Sequence, residues 1–175
     1  MGANPYGDLF RILKKGGVEY VLIGLSAVNC YADDPEGMFS TGDADALLRP
    51  VSSNLLRALR CLSRAGFRLE AGGEPIGPVD ALLARRLVEH RAVVRGFRED
   101  GLKVDLVLEA GGIPYTEWSG SRRHFKIEGV RVPVGALPVL IRAKENAGRD
   151  KDRKFLAFYK TELAEMLRRA GRRRL

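Results

Sequence analysis

The sequence has little of what common metal and redox centres are built from. Its 175 residues include only two cysteines and two histidines. Cys30 and Cys61 do not form a CxxC motif, and His90 and His124 are too few and too separated for a histidine metal site. This pattern argues against a zinc site or a disulfide framework and predicts the reduced thiols of a cytoplasmic protein.

Long apolar runs are also missing. No segment approaches the roughly 18 residues of a membrane span, so we expect no membrane partner. The first residues lack a charged head followed by an apolar stretch, so no secretory signal is expected. There is no internal repeat or low-complexity segment. With 45% hydrophobic residues, the chain is long enough for one domain with a substantial core.

Acidic residues are outnumbered by basic ones, 22 against 30, which gives a formal net charge of +8. Such an excess is typical of proteins that bind nucleic acid or nucleotide phosphates, and equally of genomes rich in arginine codons. The basic end of the chain, "RRAGRRRL", has two readings: a contact to a phosphate backbone or a solvated, frayed helix end.

Apolar runs and turn signals predict an α/β (α+β) protein with a mixed sheet flanked by helices. Strands are predicted at "VEYVLIG" and "DADALLRP", and hairpins at "RAVVRGFREDGLKVDLVLEA" and "RHFKIEGVRVPV". "EAGGEPIGP" is interpreted as a Gly/Pro-rich loop. Residues 1–135 are expected to form the core. Residues 136–175 are expected to form two helices, broken near Gly148, that pack on that core.

Two aspartates stand where the strand "DADALLRP" begins, although aspartate is depleted in strands. Alternate strand residues share a face, so Asp43 and Asp45 are expected to project together while Ala44 points away. Two neighbouring carboxylates repel, and each raises the pKa of the other. A divalent cation relieves this repulsion, and Mg²⁺ binds one or two carboxylates together with phosphate oxygens. The pair therefore predicts a metal site.

A third carboxylate, Asp105, lies inside the apolar strand "LKVDLVLEA", where an unpaired charge is costly. If this strand neighbours the first, Asp105 joins the other two aspartates, and three carboxylates can hold two metal ions. A salt bridge from Asp105 to an arginine is the alternative. Upstream, "VLIGLSAV" places Gly24 and Ser26 at a strand–helix junction, where backbone N–H groups can face a phosphate.

In this order, "LIGLSAVNCY", "TGDADALL" and "KVDLVLE" resemble the nucleotidyltransferase superfamily of the DNA polymerase β type. The later segment "ALPVLIRAKENAGRDKDRKFLAFY" resembles the end of small bacterial members, of the AbiEii-toxin-like and antibiotic nucleotidyltransferase kinds. The resemblance implies a nucleotidyltransferase fold and an enzyme that transfers a nucleoside monophosphate from an NTP such as ATP. It implies Asp43, Asp45 and Asp105 as catalytic residues and ligands of Mg²⁺ or Mn²⁺, with Gly24, Ser26 and Lys144 at the nucleotide.

Two positions depart from the family pattern. Leu25 replaces the second glycine of the phosphate loop, and Phe39 stands where small members often have arginine. The sequence favours an active enzyme acting on a hydroxyl acceptor, with an RNA or tRNA 3′ end preferred. Such an enzyme could be the toxin of a toxin–antitoxin pair, with an antitoxin as partner. The alternatives are an antibiotic nucleotidyltransferase and a degenerate, non-catalytic protein that binds RNA or a protein partner.

Overall fold

A computed structural model of the protein describes residues 4, 6–33, 39 and 41–172. Within these residues the chain forms eight helices and eight strands. The helices are α1 (Gly7–Lys15), α2 (Gly24–Asn29), α3 (Ser52–Arg64), α4 (Ala81–Glu89), α5 (Tyr115–Ser121), α6 (Leu137–Ala147), α7 (Asp150–Phe158) and α8 (Lys160–Arg172). The strands are β1 (Tyr20–Ile23), β2 (Ala44–Leu48), β3 (Arg68–Ala71), β4 (Glu74–Pro75), β5 (Val94–Phe97), β6 (Lys103–Val107), β7 (Arg123–Ile127) and β8 (Val130–Val134).

All eight strands form one mixed sheet in the order β4-β3-β5-β6-β2-β1-β8-β7. The pairs β2–β6 and β1–β8 are parallel, and the other neighbouring pairs are antiparallel. The two predicted hairpins are present as β5–β6 and β7–β8. The mixed sheet expected from the sequence is confirmed, and its central strands β6, β2 and β1 carry the predicted functional positions.

The core follows the apolar pattern of the sequence. All four residues of β1 are buried, so both faces of the sheet centre are covered. Helix α3 buries Leu55, Ala58, Leu59 and Leu62, which the three- and four-residue spacing places on one side of the helix. Trp118 of α5 is fully buried and belongs to the same core. A tightly packed sheet centre of this kind holds the ends of its strands in fixed positions.

The C-terminal part forms three helices, where the sequence predicted two. The break at Gly148 is as expected, with a left-handed backbone (φ 58°) that ends α6. A second break falls at Tyr159, where the backbone leaves helical geometry between α7 and α8. Helix α6 contributes Leu137 and Leu140 to the common core. The division of the chain at residue 135 stays a prediction.

Two further elements were missed in the sequence. The stretch interpreted as a Gly/Pro-rich loop contains the end of β3, a turn and β4, because Gly72 and Gly73 adopt positive φ and turn the chain back on itself. Helix α5 is short and follows Pro114, so it contains too few residues to show the apolar periodicity of a helix. No helix in the described part of the chain combines the length and apolarity needed to cross a bilayer.

Candidate active site

A row of side chains crosses four neighbouring strands at one level of the sheet. Ile23 at the end of β1 pairs with Asp45 of β2, and Asp45 pairs with Asp105 of β6. Asp105 in turn pairs with Arg95 of β5. Residues directly opposite each other in a sheet point to the same face. The register therefore brings two of the three predicted carboxylates side by side and adds an arginine.

Asp43, the third carboxylate, lies directly before the first residue of β2. The hydroxyl of Thr41 donates to the Asp43 carbonyl oxygen at 2.8 Å. The side chain of Asn29 binds both backbone groups of Phe39, donating to its oxygen at 2.8 Å and accepting from its nitrogen at 2.6 Å. These bonds attach the chain ahead of β2 to the end of α2 and support the position of Asp43.

Gly24 makes the close approach of α2 to Asp45 possible. Its φ is +70°, and a Cβ atom at this position would lie 2.2 Å from Oδ2 of Asp45. Any other residue would suffer both a strained backbone and a collision with the carboxylate. The glycine expected at the phosphate loop is thus required by the adjacent carboxylate, in addition to any role toward a ligand.

The carboxylate of Asp45 is electrostatically unfavourable in the free protein. Burial, the largest cause, and the negative charges of Asp43 and Asp105 together raise its pKa to about 6. The charges of Lys144 and Lys151 act in the opposite direction. Repulsion between Asp43 and Asp45 is what the two-residue spacing predicted. A cation placed between these carboxylates would remove much of this cost.

Asp105 has a different environment, because Arg95 holds it. Arg95 donates from Nε to Oδ1 at 2.7 Å and from Nη2 to Oδ2 at 2.9 Å, a two-pronged ion pair. The side chain of Asp105 is 11% exposed and that of Arg95 is 52% exposed. The hydrogen bonds to Asp105 raise the pKa of Arg95. The sequence-based alternative, a salt bridge from Asp105 to an arginine, is therefore present. We call Asp43, Asp45, Asp105 and Arg95 the strand wall.

The α6–α7 corner supplies positive charge around a buried aspartate. Arg149 donates to Asp152 at 2.6 Å and Lys144 lies 3.4 Å from it. The Asp152 side chain is only 2% exposed. Burial alone would raise the pKa of Asp152, but the Arg149 hydrogen bond and the charges of Lys144 and Arg149 lower it overall. Lys144 also lies over the ring of Phe155, 4.9 Å from its centre. We call Lys144, Arg149, Lys151 and Asp152 the helix wall.

Both walls line one cavity of about 890 Å³. Gly24 and Leu25 also line it. The hydroxyl of Ser26 donates to the carbonyl oxygen of Ile23 at 3.3 Å. Of the three predicted nucleotide-binding residues, Gly24 and Lys144 therefore face this cavity, and Ser26 turns its hydroxyl to the backbone. Their roles toward a nucleotide stay predictions.

The donor set can be tested against the expected metal. Among the described residues, no group of three or more His, Cys, Asp or Glu side chains is arranged to hold a metal ion. Two carboxylates suffice for Mg²⁺ when phosphate oxygens and water complete its shell. The mutually repelling pair Asp43 and Asp45 fits that requirement. Asp105 as a third ligand stays a prediction, since both its oxygens already accept from Arg95.

Sequence reasoning missed Arg95 and the burial of Asp152. The hairpin turn does not reveal the first, because counting outward from "REDG" pairs Arg95 with Val104. The connection between the strands spans five residues, 98–102, and this shifts Arg95 onto Asp105. Asp152 lies in the charged stretch "DKDRK", which is typical of a solvated helix face. Within the structure, Asp152 of this stretch pairs with Arg149.

Comparison with solved structures identifies the fold. A lincosamide antibiotic adenylyltransferase, LnuA, with lincomycin bound has a TM-score of 0.52 and 12% identity, covering 81% of this chain and 85% of its own. An antigenic nucleotidyltransferase-like protein from Paracoccidioides brasiliensis has a TM-score of 0.51 and 17% identity, covering 91% and 72%. No family model and no curated protein matches the sequence. The nucleotidyltransferase fold is therefore confirmed.

Proposed function

We propose that this protein is a Mg²⁺-dependent nucleotidyltransferase that transfers a nucleoside monophosphate from an NTP to a hydroxyl group. One observation carries the proposal: a mutually repelling pair of carboxylates and a group of basic side chains line a single cavity. The strand wall offers the mutually repelling Asp43 and Asp45, and the helix wall offers Lys144, Arg149 and Lys151. A metal-bound triphosphate complements both, since its cation suits the carboxylates and its anionic oxygens suit the basic side chains.

Asp43 and Asp45 would hold the ion. When bound, Mg²⁺ supplies charge neutralisation at the reacting phosphate and orients the leaving group. Lys144 and Arg149 would bind the triphosphate, and their positions are kept by Asp152. Fixing charged donors in advance of substrate binding is what makes such contacts effective in a phosphoryl-transfer site.

Asp105 would orient the acceptor hydroxyl. Each carboxylate oxygen retains a further lone pair after accepting from Arg95, so it can accept a hydrogen bond from that hydroxyl. In the transfer, the acceptor oxygen bonds to the α-phosphorus while the bond from that phosphorus to the bridging oxygen breaks. Pyrophosphate leaves, and the hydroxyl proton passes to Asp105 or through it to water.

The acceptor side of the cavity favours a small molecule with an apolar part. On the face of β5 and β6 that carries Arg95 and Asp105, the next cavity-lining side chains are Val93 and Val107. Val93 is 46% exposed and is therefore free to contact a ligand. A cavity of about 890 Å³ lies at the upper end of the range for ligand sites, which is roughly 300–1,000 Å³. The structural neighbour LnuA is itself described as an antibiotic adenylyltransferase.

An RNA 3′ end is the second candidate, favoured by the net charge of +8. The described part of the basic tail belongs to α8, where Arg169 lies 3.0 Å from Asp33. Residues 173–175 lie outside the described residues. The tail is thus partly engaged within the protein, which is why we rank RNA below a small acceptor. A toxin role with an antitoxin partner remains a prediction from the resemblance.

The test uses NTPs labelled at the α-phosphate, Mg²⁺ and two acceptor pools: total RNA, and small hydroxyl compounds that include lincosamides and aminoglycosides. Label on a small compound supports the proposal, and label on RNA supports the second candidate. Asp43→Ala should abolish both transfer and Mn²⁺-dependent nucleotide binding while leaving the fold intact. Asp150→Ala, which removes an exposed carboxyl, is the matched control.

A degenerate binding protein is the remaining alternative, motivated by Leu25 and Phe39. It predicts no label in either pool and no Mn²⁺-dependent binding of any NTP. Binding that is indifferent to Asp43→Ala would also count against the proposed site. Leu25→Gly sharpens this test, because it restores the second glycine of the family pattern at a cavity-lining position. An active enzyme should tolerate the restored glycine with little change in nucleotide affinity.

A further inference from the structure

The ion pair between Arg95 and Asp105 bears on how many metal ions the cavity holds. Arg95 contacts both oxygens of Asp105, and these are the only hydrogen bonds of its side chain among the described residues. A planar fork of two N–H donors on a carboxylate is the strongest form of such a pair. Both residues are fixed by register in neighbouring antiparallel strands, so the pairing is built into the sheet.

A second divalent cation would have to bind between Asp45 and Asp105. Such an ion would lie next to a guanidinium group, which repels it. It would also have to share a carboxylate that is only 11% exposed and whose two oxygens already accept from Arg95. Asp105 already has a positive partner, while Asp43 and Asp45 have none within hydrogen-bond distance among the described residues. The carboxylates whose negative charge lacks a directly bonded partner are therefore Asp43 and Asp45.

We propose that the cavity holds one divalent cation per bound nucleotide, and that Arg95 takes the position of a second ion at Asp105. This inference rests on the proposed function. Arg95 is then a positioning residue, because it keeps the Asp105 carboxylate turned toward the cavity and neutralised. Asp43 and Asp45 form the metal site, and Asp105 serves the acceptor side alone.

The experiment measures the ratio of bound Mn²⁺ to bound nucleotide. The full chain is dialysed against Mn²⁺ with the α,β-methylene analogues of ATP, CTP, GTP and UTP in parallel, and the tightest binder is used throughout. Free and bound Mn²⁺ are distinguished by electron paramagnetic resonance. The wild-type protein should give a ratio of one. Arg95→Gln removes the charge but keeps polar character, and it should raise the ratio to two.

Matched variants separate this role from general effects. Arg91→Gln removes an exposed arginine that pairs with Glu109, both of them outside strands β5 and β6, and should leave the ratio at one. Arg95→Lys keeps the positive charge and should also give one. Asp105→Asn should leave the ratio at one, with the Mn²⁺ affinity of the nucleotide complex changed less than threefold.

Four outcomes would overturn the inference. A ratio of two in the wild type means that a second ion binds although Arg95 is present, and this leaves the proposed function standing. A ratio of one in folded Arg95→Gln removes the role assigned to Arg95. If Arg95→Gln does not fold, the Asp105→Asn result decides, since a loss of Mn²⁺ affinity above tenfold would make Asp105 a metal ligand. Absence of any Mn²⁺–nucleotide complex in the wild type overturns both this inference and the proposed function.

Discussion

The strand wall and the helix wall each hold a partly or fully buried aspartate, and the two are in opposite electrostatic states. Burial and like charges raise the pKa of Asp45 to about 6, whereas Arg149 and Lys144 lower the pKa of Asp152 overall. Asp45 therefore lacks a neutralising positive charge, whereas Asp152 has two cationic partners. Asp45 is suited to bind a cation, and Asp152 is suited to hold two cationic side chains in place.

The largest effect is expected at Asp45, which lacks a positive partner. Asp45→Asn removes a carboxylate from the proposed metal site, and metal ions contribute several kcal/mol to such transition states. We expect label transfer to fall by about a thousandfold or more. The measurement is the transfer rate to the acceptor found in the two-pool screen, with Asp150→Asn as the exposed control. Retention of a tenth of the wild-type rate would remove Asp45 from the catalytic site.

The second-largest effect is expected at Asp152, which holds two cationic side chains. Asp152→Ala leaves Lys144 and Arg149 without their buried partner, and breaking a buried ion pair is strongly destabilising. Because Arg149 is largely exposed, we expect a loss of about 2–4 kcal/mol in the free energy of unfolding. Urea denaturation measures it. Asp150→Ala, two residues away and exposed, should cost less than about 0.5 kcal/mol. Equal losses in the two variants would contradict the special position of Asp152.

A third test asks whether the strand wall depends on the space left by a glycine. Gly24→Ala and Gly17→Ala both force alanine into a positive φ, at a cost of about 1–2 kcal/mol each. Only Gly24→Ala also drives a Cβ atom into Asp45, since nothing lies near the corresponding position at Gly17. Gly24→Ala should therefore weaken Mn²⁺–nucleotide binding about tenfold or more, and Gly17→Ala should not. Dialysis binding and thermal unfolding together distinguish strain from the collision.

The smallest effect is a pH dependence with a defined sign. The pKa of Asp45 is raised in the folded protein, so its favourable contribution to stability is complete below the unfolded value near 4. It is lost as the pH rises through about 6. In metal-free buffer, Asp45→Asn should therefore gain about 1–2 kcal/mol over the wild type between pH 5 and pH 7.5. Urea denaturation at both pH values measures it. A constant difference would mean that Asp45 is not under electrostatic stress.

These contrasts also show how far the sequence could be read. The hairpins β5–β6 and β7–β8 were predicted because their turns and alternating residues are local signals. The parallel pairing of β2 with β6 joins segments that are distant in sequence. The sequence indicated it only through the possibility that the strand of Asp105 neighbours that of Asp45. Helix α5 and the β3–β4 turn were missed because each is too short to show a period.

Some residues of the candidate site could be predicted from local sequence, and others depend on the tertiary structure. Asp43 and Asp45 could be predicted to project together because residues two apart in a strand point to the same face. Arg95 required knowledge of strand register, and Asp152 required knowledge of burial. A charged stretch such as "DKDRK" carries the same pattern whether it faces water or a core. Tertiary packing alone decides which of its carboxylates is enclosed.

The β5–β6 hairpin has a consequence for how the chain reaches this arrangement. Arg95 and Asp105 are ten residues apart in sequence, so a short turn joins them, whereas Asp45 meets Asp105 only through a long-range parallel pairing. Local contacts form faster than distant ones, because closing a longer loop costs more entropy. We therefore expect Asp105 to gain its positive partner before it meets Asp45. The repulsion of Asp105 by the other two carboxylates therefore begins only when β2 pairs with β6.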